Sequence, residues 1–142
     1  MVTGVKYREA MIAPAWRKRI QEFVEGVLRS AGQLPLALYA MPDHIHVFAA
    51  LHPTVAVADC VGQWKSNSSR FIRDTFGVPF EWQRGYGAFA ISRRAWPAVI
   101  GYVNDQERRH AAETFRGEYR TLLRENEVDF EERYLFDDLH AG

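Results

Sequence analysis

Apolar residues recur along this chain with two different periods, and each change of period marks a change of element. Residues 1–8 read as a short strand. From Pro14 onward, Trp16, Ile20, Phe23, Val24, Val27 and Leu28 follow the 3.6-residue repeat of a helix. Proline suits its first turn, where a missing N–H costs no intrahelical bond, and Gly32 supplies the stop. Residues 34–40 and 44–51 are apolar runs joined by Pro42-Asp43, a pattern that predicts two strands and a tight turn. A second helix beginning near Thr54 carries Val57, Val61, Trp64, Phe71 and Ile72, and Gly77 and Pro79 end it. Aromatic residues at strand positions over 80–83 and 86–92, around Arg84-Gly85, predict a hairpin. Pro97 lies near the start of a third long helix, which runs through Tyr102 and Gln106 to about Phe115, and a short helix is expected over 118–124.

The connections are too short for parallel crossovers between the hairpin partners. The order therefore predicts an α+β fold, a ferredoxin-like antiparallel sheet with helices packed on one face. Residues 1–142 read as a single domain, long enough for a sizeable core at 47% hydrophobic residues. Cys60 is the only cysteine, so no intramolecular disulfide can form and a thiolate zinc cage is not supported. No apolar run approaches the roughly 20 residues that span a bilayer, and charged residues stand where a signal peptide has its hydrophobic stretch. A cytoplasmic protein with no membrane partner is expected.

The formal net charge is zero, but its distribution is uneven. Glu125, Glu127, Asp129, Glu131, Glu132, Asp137 and Asp138 face one base, Arg133, within an acidic tail over residues 125–142. The rest of the chain is correspondingly positive, with basic clusters at Arg17-Lys18-Arg19, at Lys65, Arg70 and Arg73, at Arg93-Arg94 and at Arg108-Arg109. Such clusters usually solvate a surface; together they permit a nucleic-acid partner without requiring one.

Two pairs of residues carry candidate chemistry. His44 and His46 alternate along a strand, so they project from one face roughly 7 Å apart, a spacing that suits two imidazoles on one metal ion. Packing of hydrogen-bonded core histidines is the plain alternative. Tyr102 and Gln106 are four residues apart on a predicted helix, one turn from each other, and can serve one site. A half-buried tyrosine beside a solvated glutamine accounts for that pair equally well.

The phrases MPDHIHV, GQWKSNSSRFI, FEWQRGYGAFAIS, VIGYVNDQERRHAAETF and VDFEERYLFD resemble, in order and spacing, the single-tyrosine HUH transposases. These are the small insertion-sequence TnpA-type enzymes and their REP-associated relatives. The resemblance runs from about Val5 to Asp138. It implies that His44, His46 and Gln106 bind a divalent metal, magnesium or manganese, and that Tyr102 is the nucleophile. It further implies cleavage and rejoining of single-stranded DNA bearing a hairpin, through a 5′-phosphotyrosine, by a homodimer with a merged sheet.

On this reading Lys65, Ser69 and Arg70 are the first choices for DNA contact, while Trp64 belongs to the core at its helical spacing. Asp43 suits a partner for an imidazole, although a turn residue is the commoner role. Relatives often carry paired histidines after the glutamine, where this chain has Arg109-His110, and their first strand is longer. A hairpin-DNA-binding relative that no longer transposes is the second reading. A histidine-motif phosphohydrolase or nucleotidyl transferase is the third, disfavoured because Phe48 takes the place of a third histidine.

Overall fold

Pro14 opens a 3₁₀ turn over Pro14–Trp16 that leads directly into α1, Arg17–Ser30. This computed structural model describes residues 1–6, 11–110, 117, 118, 120 and 121. In α1 the buried stripe is Ile20, Val24 and Leu28, one residue per turn on one face. Gly32, at φ +84°, ends it: its N–H reaches the Arg29 carbonyl and the Gln33 N–H the Leu28 carbonyl, so the last carbonyls are satisfied.

The sheet has the order β1 (Val2–Gly4), β3 (His44–Ala50), β2 (Leu34–Met41), antiparallel throughout. Residues 81–87 do not fold back on one another as the expected hairpin. They run along the free edge of β1 instead, with Lys6 N–H on the Glu81 carbonyl, Gln83 N–H on Gly4, and Val2 and Gly87 exchanging both bonds. The backbone of β1 thus supplies the partners that a hairpin would have supplied, and Arg84-Gly85 becomes a bulge rather than a turn. With this fourth edge the order is that of two interleaved split βαβ units, the ferredoxin-like arrangement.

Alternation along β3 sends its side chains to two different environments. Ile45 and Val47 join Leu38, Ala40 and Val5 beneath α1 and α2 (Val57–Phe76), in a core that includes Trp64, Ile72, Phe80 and Trp82. His44, His46 and Phe48 point to the other face. There they meet α3 (Trp96–Asn104): the Phe48 and Trp96 rings lie 6.0 Å apart, and the His46 and Tyr102 rings 5.6 Å apart. The two long helices therefore cover one face, and α3 lies against the histidines on the opposite face.

The expected third helix is broken. Asp105 takes a turn conformation, its N–H reaching the Tyr102 carbonyl, and α4 (Gln106–His110) begins after it. The continuation to Phe115, most of the helix over 118–124 and the acidic tail lie outside the described residues, as do the side chains of Arg109 and His110.

Trp64 is fully buried and packs edge-on to Trp82 at 6.3 Å, which settles it in the core. Trp64→Ala is expected to cost about 3–5 kcal/mol of stability, read from denaturant unfolding, because a cavity of indole size has no neighbour able to fill it.

Candidate metal and nucleophile site

The outward-facing histidines of β3 end in a buried polar cluster. His44 is 0% exposed, His46 5%, Gln106 0% and Glu118 3%. Asp43, in the β2–β3 turn, places Oδ1 2.7 Å from His44 Nδ1. A carboxylate only accepts, so Nδ1 carries the proton and, in the neutral ring, Nε2 presents a lone pair. Asp43 is thus both the turn residue and the imidazole's partner.

Gln106 is oriented by the residue one turn before it. Its Nε2 donates to the Tyr102 carbonyl at 3.1 Å, which leaves Oε1 directed at His44 Nε2, 3.4 Å away. Glu118 Oε1 lies 2.6 Å from His46 Nε2 and 3.9 Å from His44 Nε2. The Tyr102 hydroxyl also donates to Glu118. Lone pairs from an imidazole, an amide and a carboxylate therefore face one another.

Such convergence of acceptors fits a cation. One donor atom from each of His44, His46 and Glu118 lies within 4.8 Å of the others, and an amide oxygen stands beside them. Two imidazoles, an amide oxygen and a buried carboxylate form a mixed nitrogen and oxygen donor set of the kind that suits a divalent metal. The four residues singled out in the sequence, His44, His46, Tyr102 and Gln106, are brought together within one chain. Glu118 escaped sequence reading: it stands twelve positions after Gln106 in no recognisable spacing, and only the fold brings it to the histidines.

Burial is the larger influence on His46 and lowers its pKa from 6.5 to about 4, against the opposing pull of Glu118. Burial alone raises Glu118, but the hydrogen bond and charge of His46 and the Tyr102 hydroxyl hold it down at about 2. The site is then a neutral imidazole beside a carboxylate near pH 7. An unfolded chain takes up the imidazole proton near 6.5 and the folded one not until about 4, so acid favours unfolding across that window. Metal-free protein is expected to lose about 3 kcal/mol between pH 7 and pH 4 in urea unfolding, with further loss between about 4.5 and 2, where the Glu118 carboxyl takes up its proton in the unfolded chain before it does so in the folded one. His46→Gln removes the upper part of this slope.

Lys65, Ser69 and Arg70 are elsewhere, on α2. Lys65 and Ser69 line a cleft of about 420 Å³ between α2 and residues 81–86, and Arg70 is exposed. The Lys65 ammonium donates to the carbonyls of Gln83, Arg84 and Gly85 at 2.6, 3.1 and 3.3 Å, so it holds the bulge in shape. Arg73 similarly donates to the Phe80 carbonyl at 2.8 Å. Cys60 is buried, and among the described residues no helix is long and apolar enough to cross a membrane.

The chain is similar to a protein from Deinococcus radiodurans R1, solved by crystallography and assigned as a transposase, with 20% identity and a TM-score of 0.60 over 74% of this chain and 86% of that one. At that identity the likeness establishes the fold. No curated protein matches the chain. The sequence profile described as "Transposase IS200 like" matches residues 1–106, a span that contains both histidines, Tyr102 and Gln106 and stops short of Glu118. With three quarters of its length matched in this way, the chain belongs to the IS200-like transposase family.

Proposed function

We propose that this transposase cuts and rejoins single-stranded DNA with Tyr102 as its nucleophile. The observation that carries this reading is the meeting, within one chain, of Tyr102 with the His46 ring and with the buried Glu118 carboxylate that lies beside both imidazoles. In the cleavage step the phenol oxygen bonds to the scissile phosphorus as the bond from phosphorus to the 3′ oxygen breaks. The 5′ phosphate stays on Tyr102, and the phenol proton ends on the departing 3′ hydroxyl. Attack by another 3′ hydroxyl reverses the step and joins a new end. The phosphodiester energy is retained throughout, so no nucleotide triphosphate is needed.

Each residue has its task. With an ordinary pKa of about 10, a tyrosine is protonated near neutrality, and Glu118 holds that proton and sets the direction of the phenol oxygen. His44, His46, Gln106 and Glu118 are the residues that would hold magnesium or manganese, and the metal would supply charge neutralisation at the phosphate. Asp43 fixes the His44 tautomer. On α2, Ser69 and Arg70 contact the DNA, and Lys65 shapes the neighbouring loop. The substrate is a strand bearing a hairpin, and a homodimer with a merged sheet provides two such sites for the two ends.

The test incubates the protein with hairpin-bearing single-stranded DNA and magnesium or manganese, then denatures it. A label at the 3′ end of the strand is expected to remain on the protein, and a label at the 5′ end to leave as a fragment with a free 3′ hydroxyl. Hairpin binding without any adduct points instead to a relative that retains recognition and no longer transposes.

A further inference from the structure

Arg17, Tyr39 and Glu107 close a network at the β2 edge of the sheet, with one residue from each of three elements. Arg17, at the start of α1, places Nη1 2.9 Å from the Tyr39 hydroxyl and 2.7 Å from Glu107 Oε1, while its Nε donates to the Ala40 carbonyl at 2.8 Å. The Tyr39 hydroxyl in turn donates to Glu107. Tyr39 stands directly opposite His46 in the β2–β3 register, and Glu107 follows Gln106 in α4.

The break at Asp105 gives this network its significance. Because α3 does not continue into α4, helical backbone alone does not fix where Gln106 sits over His44. The Gln106 amide has one end on the Tyr102 carbonyl and the other facing His44, and the carboxylate next to it ties the start of α4 to Arg17 and, through Arg17, to the Ala40 carbonyl of β2. Arg17 is suited to this task. Its planar fork serves a carbonyl, a phenol and a carboxylate at once, which a lysine ammonium on a flexible stem cannot reproduce. We propose that Arg17, Tyr39 and Glu107 are positioning residues that seat Gln106 against His44 and thereby set the affinity of the site for a divalent cation. This rests on the metal reading above.

The experiment titrates the full chain with Mn²⁺ and follows free Mn²⁺ by electron paramagnetic resonance. Glu107→Gln is the principal variant, since the Glu107 side chain is 64% exposed and its loss leaves the core untouched. Tyr39→Phe and Arg17→Lys accompany it, with circular dichroism confirming the fold. Each is expected to weaken Mn²⁺ binding about tenfold, the low end of what residues supporting metal ligands contribute. In a Gln106→Ala background the same substitutions are expected to add nothing, because the ligand they position is gone. Unchanged affinity in Glu107→Gln and Tyr39→Phe, or an undiminished effect without Gln106, overturns the positioning role. A protein whose Mn²⁺ binding does not depend on His44 and His46 overturns the metal reading itself, and the positioning role with it.

Discussion

Tyr102→Phe is expected to eliminate the covalent protein–DNA adduct and to reduce strand cleavage by at least about 10⁴-fold, as removal of a nucleophile does elsewhere. The substitution deletes one oxygen and leaves the ring, so the edge-on packing against His46 at 5.6 Å persists and the fold has no reason to change. Hairpin binding is expected to stay within about twofold of the parent, since the DNA face proposed on α2 lies apart from the phenol. Denaturing gels with end-labelled strands read the first quantity, and fluorescence anisotropy reads the second. An adduct surviving in Tyr102→Phe transfers the nucleophile's role to another residue. Loss of binding along with cleavage shows instead that the phenol serves recognition. The variant also deprives Glu118 of one hydrogen bond that holds its carboxyl low, so its pKa is expected to rise.

His44→Ala and His46→Ala have the second largest expected effect: the loss of measurable Mn²⁺ binding and about a 10³-fold fall in cleavage, equivalent to about 4 kcal/mol of transition-state stabilisation. The two should differ in stability. His44→Ala leaves Asp43, in a half-buried turn, without its imidazole partner, and water can reach its carboxylate. His46→Ala leaves the buried Glu118 carboxylate without its 2.6 Å donor, a costlier loss in a site closed to solvent. His46→Ala is therefore expected to melt below His44→Ala in the absence of metal. If metal binding and cleavage survive both substitutions, the imidazoles are core residues and the cation lies elsewhere.

The periodicity of Ile20, Val24 and Leu28 identifies α1, and that of Val61, Trp64 and Ile72 identifies α2, because a helix buries one stripe and the pattern repeats locally. Alternation through 44–51 likewise separates Ile45 and Val47, which join the core, from His44 and His46, which face away from it. Tyr102 and Gln106 share a site as their four-residue spacing suggests, although Asp105 breaks the helix between them.

The hairpin over 80–92 shows where local pattern fails. Its residues have strand character, but which strand they pair with depends on the open edge of β1, and hydrogen-bonding groups of distant segments compete for that edge on equal terms. Glu118 shows the same limit for chemistry. Nothing near position 118 distinguishes one glutamate of an acidic C-terminal third from its neighbours, and it becomes part of the site only because the chain returns to the histidine face.

By itself, then, the sequence determined what short-range periodicity controls: the two long helices, the β2–β3 pair and the side of β3 on which the imidazoles lie. Tertiary structure alone decided the placement of α3 on that side, the docking of residues 81–87 on β1, the arrival of Glu118 beside His46 and the tie from Arg17 to Glu107. Those features join groups 48 to 90 positions apart in the chain. Their formation depends on the closing of long loops and the burial of polar atoms in complementary pairs, quantities that no local window of residues contains.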